Sequence, residues 1–171
     1  KGVKIEGNAQ MDSFSGELTV MANTIVESTG VKKEVRQDNS EVKRVELHMH
    51  TKMSQMDAVT SATDLIKRAM KWGMKSIAIT DHGVMFGAID FYKACKKEGV
   101  KPIIGCEVYV APRSRLQKEP GIDNHYYHLI LLAKNNEGYK NLSKLVSLSF
   151  VDGYYYKPRI DLEILEKYHE G

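Results

Sequence analysis

Two histidines spaced one residue apart, His48 and His50, are the first residues of this sequence that could do chemistry. They end a short apolar stretch, residues 45–50, which we predict to be a β-strand. Alternate residues of a strand project from the same face, so the two imidazoles would point together and Met49 the opposite way. Such a pair can chelate a cation, although two structural or solvent-exposed histidines would give the same spacing.

Each later predicted strand also carries a possible metal ligand near one end. These are Asp81 and His82 after residues 76–80, Glu107 within residues 102–110, and His128 at the start of residues 128–133, while Asp57 lies in the loop after the first strand. Polar groups placed repeatedly at strand ends are typical of α/β proteins whose site lies at the rim of the sheet. The sequence therefore predicts a shared site.

This donor set combines imidazoles with carboxylates and has no group of thiolates. It suits Zn, Mn or Fe better than Mg or Ca, which prefer oxygen ligands. Its size indicates a site for more than one ion. Two ions about 4 Å apart can activate a water and stabilise the leaving oxygen of a phosphoester. Phosphoester hydrolysis is therefore the favoured chemistry, and amide hydrolysis could use the same groups.

The spacing of the predicted strands indicates how these residues could meet. Strands beginning near positions 45, 76, 102 and 128 recur at the length of one β-plus-α unit. This repeat favours parallel strands joined by crossover helices. An open doubly wound sheet and a (β/α) barrel both fit the α/β pattern.

The helix predicted after Thr60 is marked at both ends, by a capping box of Ser61 with Asp64 and by Gly73 past its last turn. Its apolar stripe consists of Ala62, Leu65, Ile66, Ala69 and Met70. A second helix is predicted over residues 86–98, closed by Gly99. A third follows the fourth strand, with a core face of Tyr139, Leu142, Leu145 and Val146.

The first part of the chain has a different pattern. Residues 1–27 consist of short apolar stretches separated by turn formers, which favours a β-hairpin or meander. Residues 28–43 contain too few apolar groups to cover a core, so we expect a linker or an exposed hairpin. The chain of 171 residues starts at Lys1 and ends at Gly171 without a terminating element, and we expect a piece of a longer protein.

Composition excludes several classes of protein. Hydrophobic residues at 42% and charged residues at 27% exclude wholesale disorder. No apolar run approaches the roughly 18–20 residues that span a bilayer, and no signal peptide is recognisable. Cys95 and Cys106 lack a CxxC spacing and are predicted to lie in the core, which suits a reducing compartment. We therefore expect a cytoplasmic protein with no membrane partner.

Two further motifs each allow two interpretations. Arg113, Arg115 and Lys118 follow the third strand and could contact phosphates near the rim, or form a solvated loop. The net charge of +3 does not decide between them. The run of three tyrosines at 154–156, followed by Lys157, could stack bases or could simply pack the fold.

Taken in order, HMH, Asp57, TDH, GCE and HLILLAKN resemble the PHP (polymerase and histidinol phosphatase) domain of bacterial DNA polymerase III alpha subunits. Residues 44–171 resemble the N-terminal part of that domain, and residues 75–171 are similar to its DnaE type. The stretches MDSFSGELTVMAN and KRVELHMHTKMSQMDAVTS look like the PolC type, in which an OB-fold module leads directly into PHP. Residues 1–43 would then be the end of an OB-like β module plus a linker.

The resemblance implies part of a distorted, TIM-like (β/α)7 barrel that binds up to three divalent metal ions. The implied metal ligands are His48, His50, Asp57, His82, Glu107 and His128. Among them, Asp57, Glu107 and His82 are implied to be catalytic, with Glu107 bridging. Asp81 is implied to orient His82 from outside the ligand set. The family's later ligands would lie beyond Gly171.

The resemblance further implies a fragment of a replicative DNA polymerase III alpha subunit, a DNA-directed DNA polymerase whose nucleotidyl transfer takes place elsewhere. Its PHP domain would be a metal-dependent phosphoesterase, consistent with a proofreading 3′–5′ exonuclease. DNA and other replisome subunits would be the partners. Two alternatives remain open: a non-catalytic, metal-stabilised scaffold or DNA-binding module, and a stand-alone phosphatase of the same superfamily.

Overall fold

A computed structural model describes residues 2–30 and 35–171 of the chain. The chain separates into two compact units, Lys1–Asn39 and Ser40–Gly171. In the first unit, strands β1 (Gly2–Met11) and β2 (Leu18–Ser28) pair antiparallel. The turn between them is closed by the carboxylate of Asp12, which accepts hydrogen bonds from the backbone N–H groups of Phe14 and Ser15.

This hairpin agrees with the β-hairpin or meander predicted for residues 1–27. The linker or exposed hairpin predicted over residues 28–43 falls partly on residues 31–34, which lie outside the described residues. Residues 35–43 form neither helix nor strand. The assignment of the first unit to an OB-like module stays a prediction.

The second unit is a mixed α/β fold. Helix α1 (Ala62–Lys71) precedes strand β3 (Ser76–Ile79), and helix α2 (Ala88–Glu98) precedes strand β4 (Lys101–Val110). Then come strand β5 (Tyr127–Leu132), helix α3 (Asn136–Val151), the short strand β6 (Arg159–Ile160) and helix α4 (Leu162–Lys167). Within the described ranges no helix is long and apolar enough to cross a bilayer.

The helix ends agree with their sequence signals. The Ser61 hydroxyl caps α1 by accepting the backbone N–H of Asp64 and donating to the Asp64 carboxylate. Gly73 and Gly99 follow α1 and α2 in the left-handed conformation, which glycine adopts at little cost. Met70 is the exception on the predicted stripe of α1, because its side chain is exposed.

The sheet has the order β3-β4-β5, and β6 also pairs with β4. Strand β4 is parallel to β3 and β6 but antiparallel to β5, so the prediction of parallel strands throughout is wrong. The connection from β4 to β5, residues 111–126, contains no helix and cannot act as a crossover unit. Tyr109 pairs with His128, so the start of β5 lies at the same edge as the end of β4.

The strand predicted over residues 45–50 is reduced to one parallel bridge, between Glu46 and Ile77. The segment still runs beside β3, because its backbone accepts hydrogen bonds from Ala78 and Thr80. Regular pairing stops at Met49, whose N–H donates to the Thr80 hydroxyl at 2.8 Å and not to a backbone carbonyl. The side chain of Thr80 thus replaces part of the backbone hydrogen bonding between this segment and β3.

Two hydrophobic clusters hold the sheet and helices together. The first joins β3 to α1 and α2 and includes Ile66, Ile77, Phe91 and the predicted core residue Cys95. The second joins β4 to α3, β6 and α4 and includes Cys106, Leu142 and Ile164. Cys106 is fully buried on the side of β4 opposite Glu107, as alternation along the strand predicts. The mixed α/β class is confirmed, and closure into a (β/α)7 barrel stays a prediction.

Candidate metal centre

Glu107 lies at the centre of a group of histidines at one edge of the sheet. Its side chain projects from β4 and the residue is only 5% exposed. One carboxylate oxygen, Oε2, lies 2.5 Å from His48 Nε2 and 2.8 Å from His50 Nε2. The two Nε2 atoms are 3.1 Å apart, so both imidazoles point at the same oxygen.

The other oxygen of Glu107, Oε1, faces a different pair of histidines. It lies 2.5 Å from His128 Nδ1 and 3.6 Å from His82 Nδ1. His128 reaches it because β5 is antiparallel: His128 pairs with Tyr109 and is a diagonal neighbour of Glu107 on the same face. His82 reaches it through a parallel bridge between His82 and Glu107 themselves.

These residues form two overlapping groups that could hold a metal ion, His48 with His50 and Glu107, and His82 with Glu107 and His128. Ligand atoms around a tetrahedral ion with bonds of about 2.1 Å are separated by roughly 3.4 Å. The first group has separations of 2.5 to 3.1 Å and needs only a small expansion to admit an ion. In the second, the buried Nδ1 of His82 has no hydrogen-bond partner. The residues present therefore fit divalent cations.

The protonation states also suit metal ligation. Burial acts to raise the pKa of Glu107, but hydrogen bonds from His48, His50 and His128 outweigh it and lower the pKa to about 2. Burial lowers the pKa of His82, against the opposing effect of Glu107. At neutral pH Glu107 is therefore a carboxylate and His82 a neutral imidazole, the forms that bind cations.

Asp57 lies beside the histidines around Glu107 and belongs to neither of the two groups that could hold a metal ion. Its Oδ2 is 4.0 Å from Nε2 of His82, while the other ring nitrogen of His82 faces Glu107. Half of the Asp57 side chain is exposed, and it sits in a loop next to Met56, whose backbone is left-handed. The structure thus brings His48, His50, His82 and His128 to Glu107, in two groups, and leaves Asp57 at the margin.

Asp81 does not orient the His82 ring, in contrast to what the resemblance implied. Its buried carboxylate accepts hydrogen bonds from the Thr51 backbone at 2.6 Å, the Thr51 hydroxyl at 2.9 Å and the Ser54 hydroxyl at 2.7 Å. Ser54 in turn accepts the backbone N–H of His82 at 3.1 Å. Asp81 therefore positions the loop after His50, and acts on His82 only through Ser54 and the backbone.

The cationic residues expected to meet phosphates are largely engaged within the protein. Arg113 pairs with the buried Asp123 at 2.6 Å and with Glu119 at 3.0 Å. Arg115 is buried and pairs at 3.1 Å with Asp161. Lys118 remains exposed on the same loop. The structure places neither arginine among the groups that contact Glu107.

Sequence reasoning missed Tyr109, which packs directly against the cluster. Its ring lies parallel to that of His82, with centroids 5.8 Å apart, and edge-on to that of His128, with centroids 5.1 Å apart. Burial raises the pKa of Tyr109 to about 12. The signal was available, because Tyr109 is two residues after Glu107 and must share its face of the strand.

Comparison with known proteins gives a consistent family assignment. The model of the PHP domain family matches residues 46–171. The DNA polymerase III alpha subunit of Borreliella burgdorferi is 53% identical over 128 residues, which cover 74% of this chain and 11% of that protein. Those of Treponema pallidum and Aquifex aeolicus are 50% and 48% identical over the same share of this chain, and 11% and 12% of their own lengths. The chain spans about a tenth of these relatives.

Among solved structures, a protein of Bifidobacterium adolescentis, provisionally described as a metal-dependent phosphoesterase, aligns with a TM-score of 0.45 and 18% identity. The alignment covers 61% of this chain and 32% of that one. A match at this level carries no functional argument. The family model, by contrast, covers both hydrophobic clusters and every residue around Glu107. On that ground the chain belongs to the PHP domain family.

Proposed function

We propose that this chain is the PHP region of a replicative DNA polymerase III alpha subunit, and that the residues around Glu107 form a divalent-metal site that hydrolyses phosphodiesters. One observation carries the proposal: the two oxygens of Glu107 face two different pairs of histidines. A single carboxylate placed in this way can bridge two cations. High identity to much longer alpha subunits favours this over a stand-alone phosphatase.

The proposed ligands divide between the two sides of Glu107. His48 and His50 would serve the Oε2 side, and His82 and His128 the Oε1 side. Asp57 would act beside Nε2 of His82, the ring nitrogen that does not face Glu107. Imidazoles mixed with carboxylates suit Zn, Mn or Fe. When bound, such ions would supply an activated water and stabilise charge on the leaving oxygen.

The chain itself contributes charge, position and access. Ionised Glu107 supplies the negative charge that holds cations together, and its burial keeps that charge in a medium of low dielectric constant. Thr80 and Asp81 fix the segments on either side of His50 by buried hydrogen bonds. His48 and His128 are about half exposed, which leaves an open side for a strand end to approach. We propose removal of 3′-terminal nucleotides as the reaction.

A second candidate is a metal-stabilised scaffold that binds DNA or partners without hydrolysis. It is supported by the distances along the chain: cations around Glu107 would cross-link segments 21 to 59 residues apart. Ions that bind only the folded state stabilise it by mass action. Under this candidate, chelation lowers the melting temperature although phosphodiesters are never cleaved.

The test compares wild type with Glu107→Gln in the complete polypeptide that contains this chain, after dialysis without metal. We expect wild type to retain divalent metal and to release mononucleotides from mismatched 3′ ends with Mn or Zn added. Glu107→Gln removes a ligand from both sides at nearly constant volume, and we expect about 100-fold slower release. Glu166→Gln, an exposed glutamate on α4, is the matched control and keeps both properties.

The outcomes separate the two candidates. Bound metal with no mononucleotide release, and a melting temperature that falls on chelation, would reject the phosphoesterase and support the scaffold. Wild type that binds no metal would reject both. Equal release by wild type and Glu107→Gln would assign the activity to another site.

A further inference from the structure

A groove lined by aromatic side chains lies beside the residues around Glu107. Its lining includes Asp57 and His82, and also Phe86, Tyr109, Phe150, Tyr154, Tyr156 and Lys157. We call these six residues from Phe86 to Lys157 the aromatic groove. It combines Tyr154 and Tyr156 with residues from three other segments, and the proposed hydrolysis makes no use of it.

Four rings of the aromatic groove are open to solvent, whereas the Tyr109 ring is buried. Phe86 is 71% exposed, Tyr156 69% and Tyr154 52%. The neighbouring Tyr155 behaves differently, because the guanidinium of Arg159 lies 5.3 Å from its ring centre. Tyr154 also stacks on Phe150, with ring centroids 6.2 Å apart, and Tyr156 lies edge-on to Tyr155 at 4.7 Å. Despite these contacts, Tyr154 and Tyr156 stay largely exposed. Exposed apolar groups gathered in one place mark a binding surface more often than a structural one.

The backbone of the aromatic groove has an unusual conformation at Tyr156. Tyr156 has a φ of 59°, in the left-handed region that bulky residues rarely adopt. A hydrogen bond from Tyr155 N–H to the Lys157 carbonyl closes this turn. Such strain persists only where the surroundings enforce it, and it concentrates at functional sites. The Tyr156 ring at this turn is exposed to solvent.

A positive charge lies beside these rings and close to the cluster. Lys157 Nζ is 5.5 Å from the centre of the Tyr109 ring. Tyr109 in turn lies parallel to His82, with ring centroids 5.8 Å apart. The path from the ligands of Glu107 to the exposed tyrosines thus passes a cation that could pair with a phosphate. An apolar peptide would have no use for that charge.

We propose that the aromatic groove binds the unpaired terminal nucleotides of a single strand, with bases stacked on Tyr154 and Tyr156 and a backbone phosphate at Lys157. This rests on the proposed function, because it would direct the terminal phosphodiester to the cluster around Glu107. Stacking on aromatic faces tolerates any base, as the removal of a mismatched end requires. If a peptide segment occupied the aromatic groove instead, the tests below would show no contact between these residues and the oligonucleotide.

The first test measures hydrolysis by the complete polypeptide. Two oligonucleotides are compared that differ only at the 3′ terminus, one with a base and one abasic. We expect Tyr156→Ala to lower kcat/KM about tenfold on the terminus with a base and to leave the abasic terminus unchanged. Tyr156→Phe keeps the ring and should match wild type. Tyr127→Ala is the control, because Tyr127 is 67% exposed and lies outside the aromatic groove. Equal effects on both substrates, or none, would overturn the proposal.

The second test does not depend on hydrolysis. An oligonucleotide with a 3′-terminal 5-iodouracil is irradiated with the complete polypeptide in EDTA, and the cross-linked peptides are identified by mass spectrometry. We expect cross-links at residues 154–156 that Tyr154→Ala and Tyr156→Ala reduce. Cross-links here, together with no hydrolysis by wild type in the first test with Mn or Zn added, would reject the phosphoesterase and keep the groove proposal. Hydrolysis with cross-links only elsewhere would do the reverse and favour a peptide occupant.

Discussion

Arg159 is a buried cation that holds the loop between β4 and β5, and its replacement gives the sharpest test of how the structure positions His128. Its side chain is fully buried. The guanidinium donates hydrogen bonds to four backbone carbonyls, at 2.8 to 3.0 Å: those of Gly153, Asp123, Arg115 and Gln117. Three of the four belong to the loop at 111–126 that leads to His128.

The size of the effect follows from these contacts. A hydrogen bond that involves a charged group contributes about 1.5–3 kcal/mol, and a buried acceptor left without a partner costs about 1–3 kcal/mol. Water can rescue carbonyls near the loop surface, and removal of the cation also removes its own desolvation cost. We therefore expect Arg159→Met to lower the free energy of local unfolding by about 3–5 kcal/mol, as for other broken buried charge networks.

Hydrogen exchange in the complete polypeptide measures this local stability. A loss of about 3–5 kcal/mol corresponds to roughly 100- to 4,000-fold faster exchange at protected amides of the loop. Lys118→Ala removes a positive charge from the same loop at an exposed position, and should change exchange by less than about threefold. Unchanged exchange in Arg159→Met would refute the inference that the buried guanidinium organises this loop.

Three further outcomes follow from single contacts. Asp81→Ala should speed hydrogen exchange of the backbone amides of residues 51–54 at least tenfold, because it removes their hydrogen-bond acceptor. Asp81→Asn keeps an acceptor and should have a smaller effect. Equal effects of the two variants would contradict this. Burial tends to raise the pKa of Asp161, but its hydrogen bonds outweigh this and lower it. The ionised Asp161 therefore stabilises the folded state fully above its unfolded pKa of about 4, and this stabilisation is lost as the pH falls through the lower folded pKa. The difference in melting temperature between wild type and Asp161→Asn should accordingly shrink below about pH 4. A constant difference from pH 7 to 3 would argue against the assignment. Gly83→Ala places a Cβ 2.9 Å from Pro158 on a left-handed backbone. It should destabilise the protein more than Gly99→Ala, where the backbone is left-handed but the Cβ meets no neighbour. The melting temperatures of the two variants test this.

Features that depend on residues a few positions apart were predictable from the sequence. The capping box of Ser61 with Asp64 and the left-handed Gly99 are set by local backbone geometry, and both appear where expected. Strand alternation placed His48 and His50 on one side with Met49 on the other, and Met49 is indeed buried in the first hydrophobic cluster. Such patterns need no knowledge of distant segments.

The roles of other residues were decided by a distant partner. Asp81 binds Thr51 and Ser54, about 30 positions earlier, and not the ring of its neighbour His82. Arg115 pairs with Asp161, 46 positions later, so its charge is used inside the protein. Nothing near either residue in the sequence indicates these partners.

By itself, the sequence determined which residue types stand at the strand ends, and so that imidazoles and carboxylates were available for cations. Only the tertiary structure decided that Glu107 would present one oxygen to His48 and His50 and the other to His82 and His128. That division depends on the reversed direction of β5 and on its register with β4. Direction and register arise from long-range packing and from a 16-residue loop held by Arg159, which no local pattern encodes.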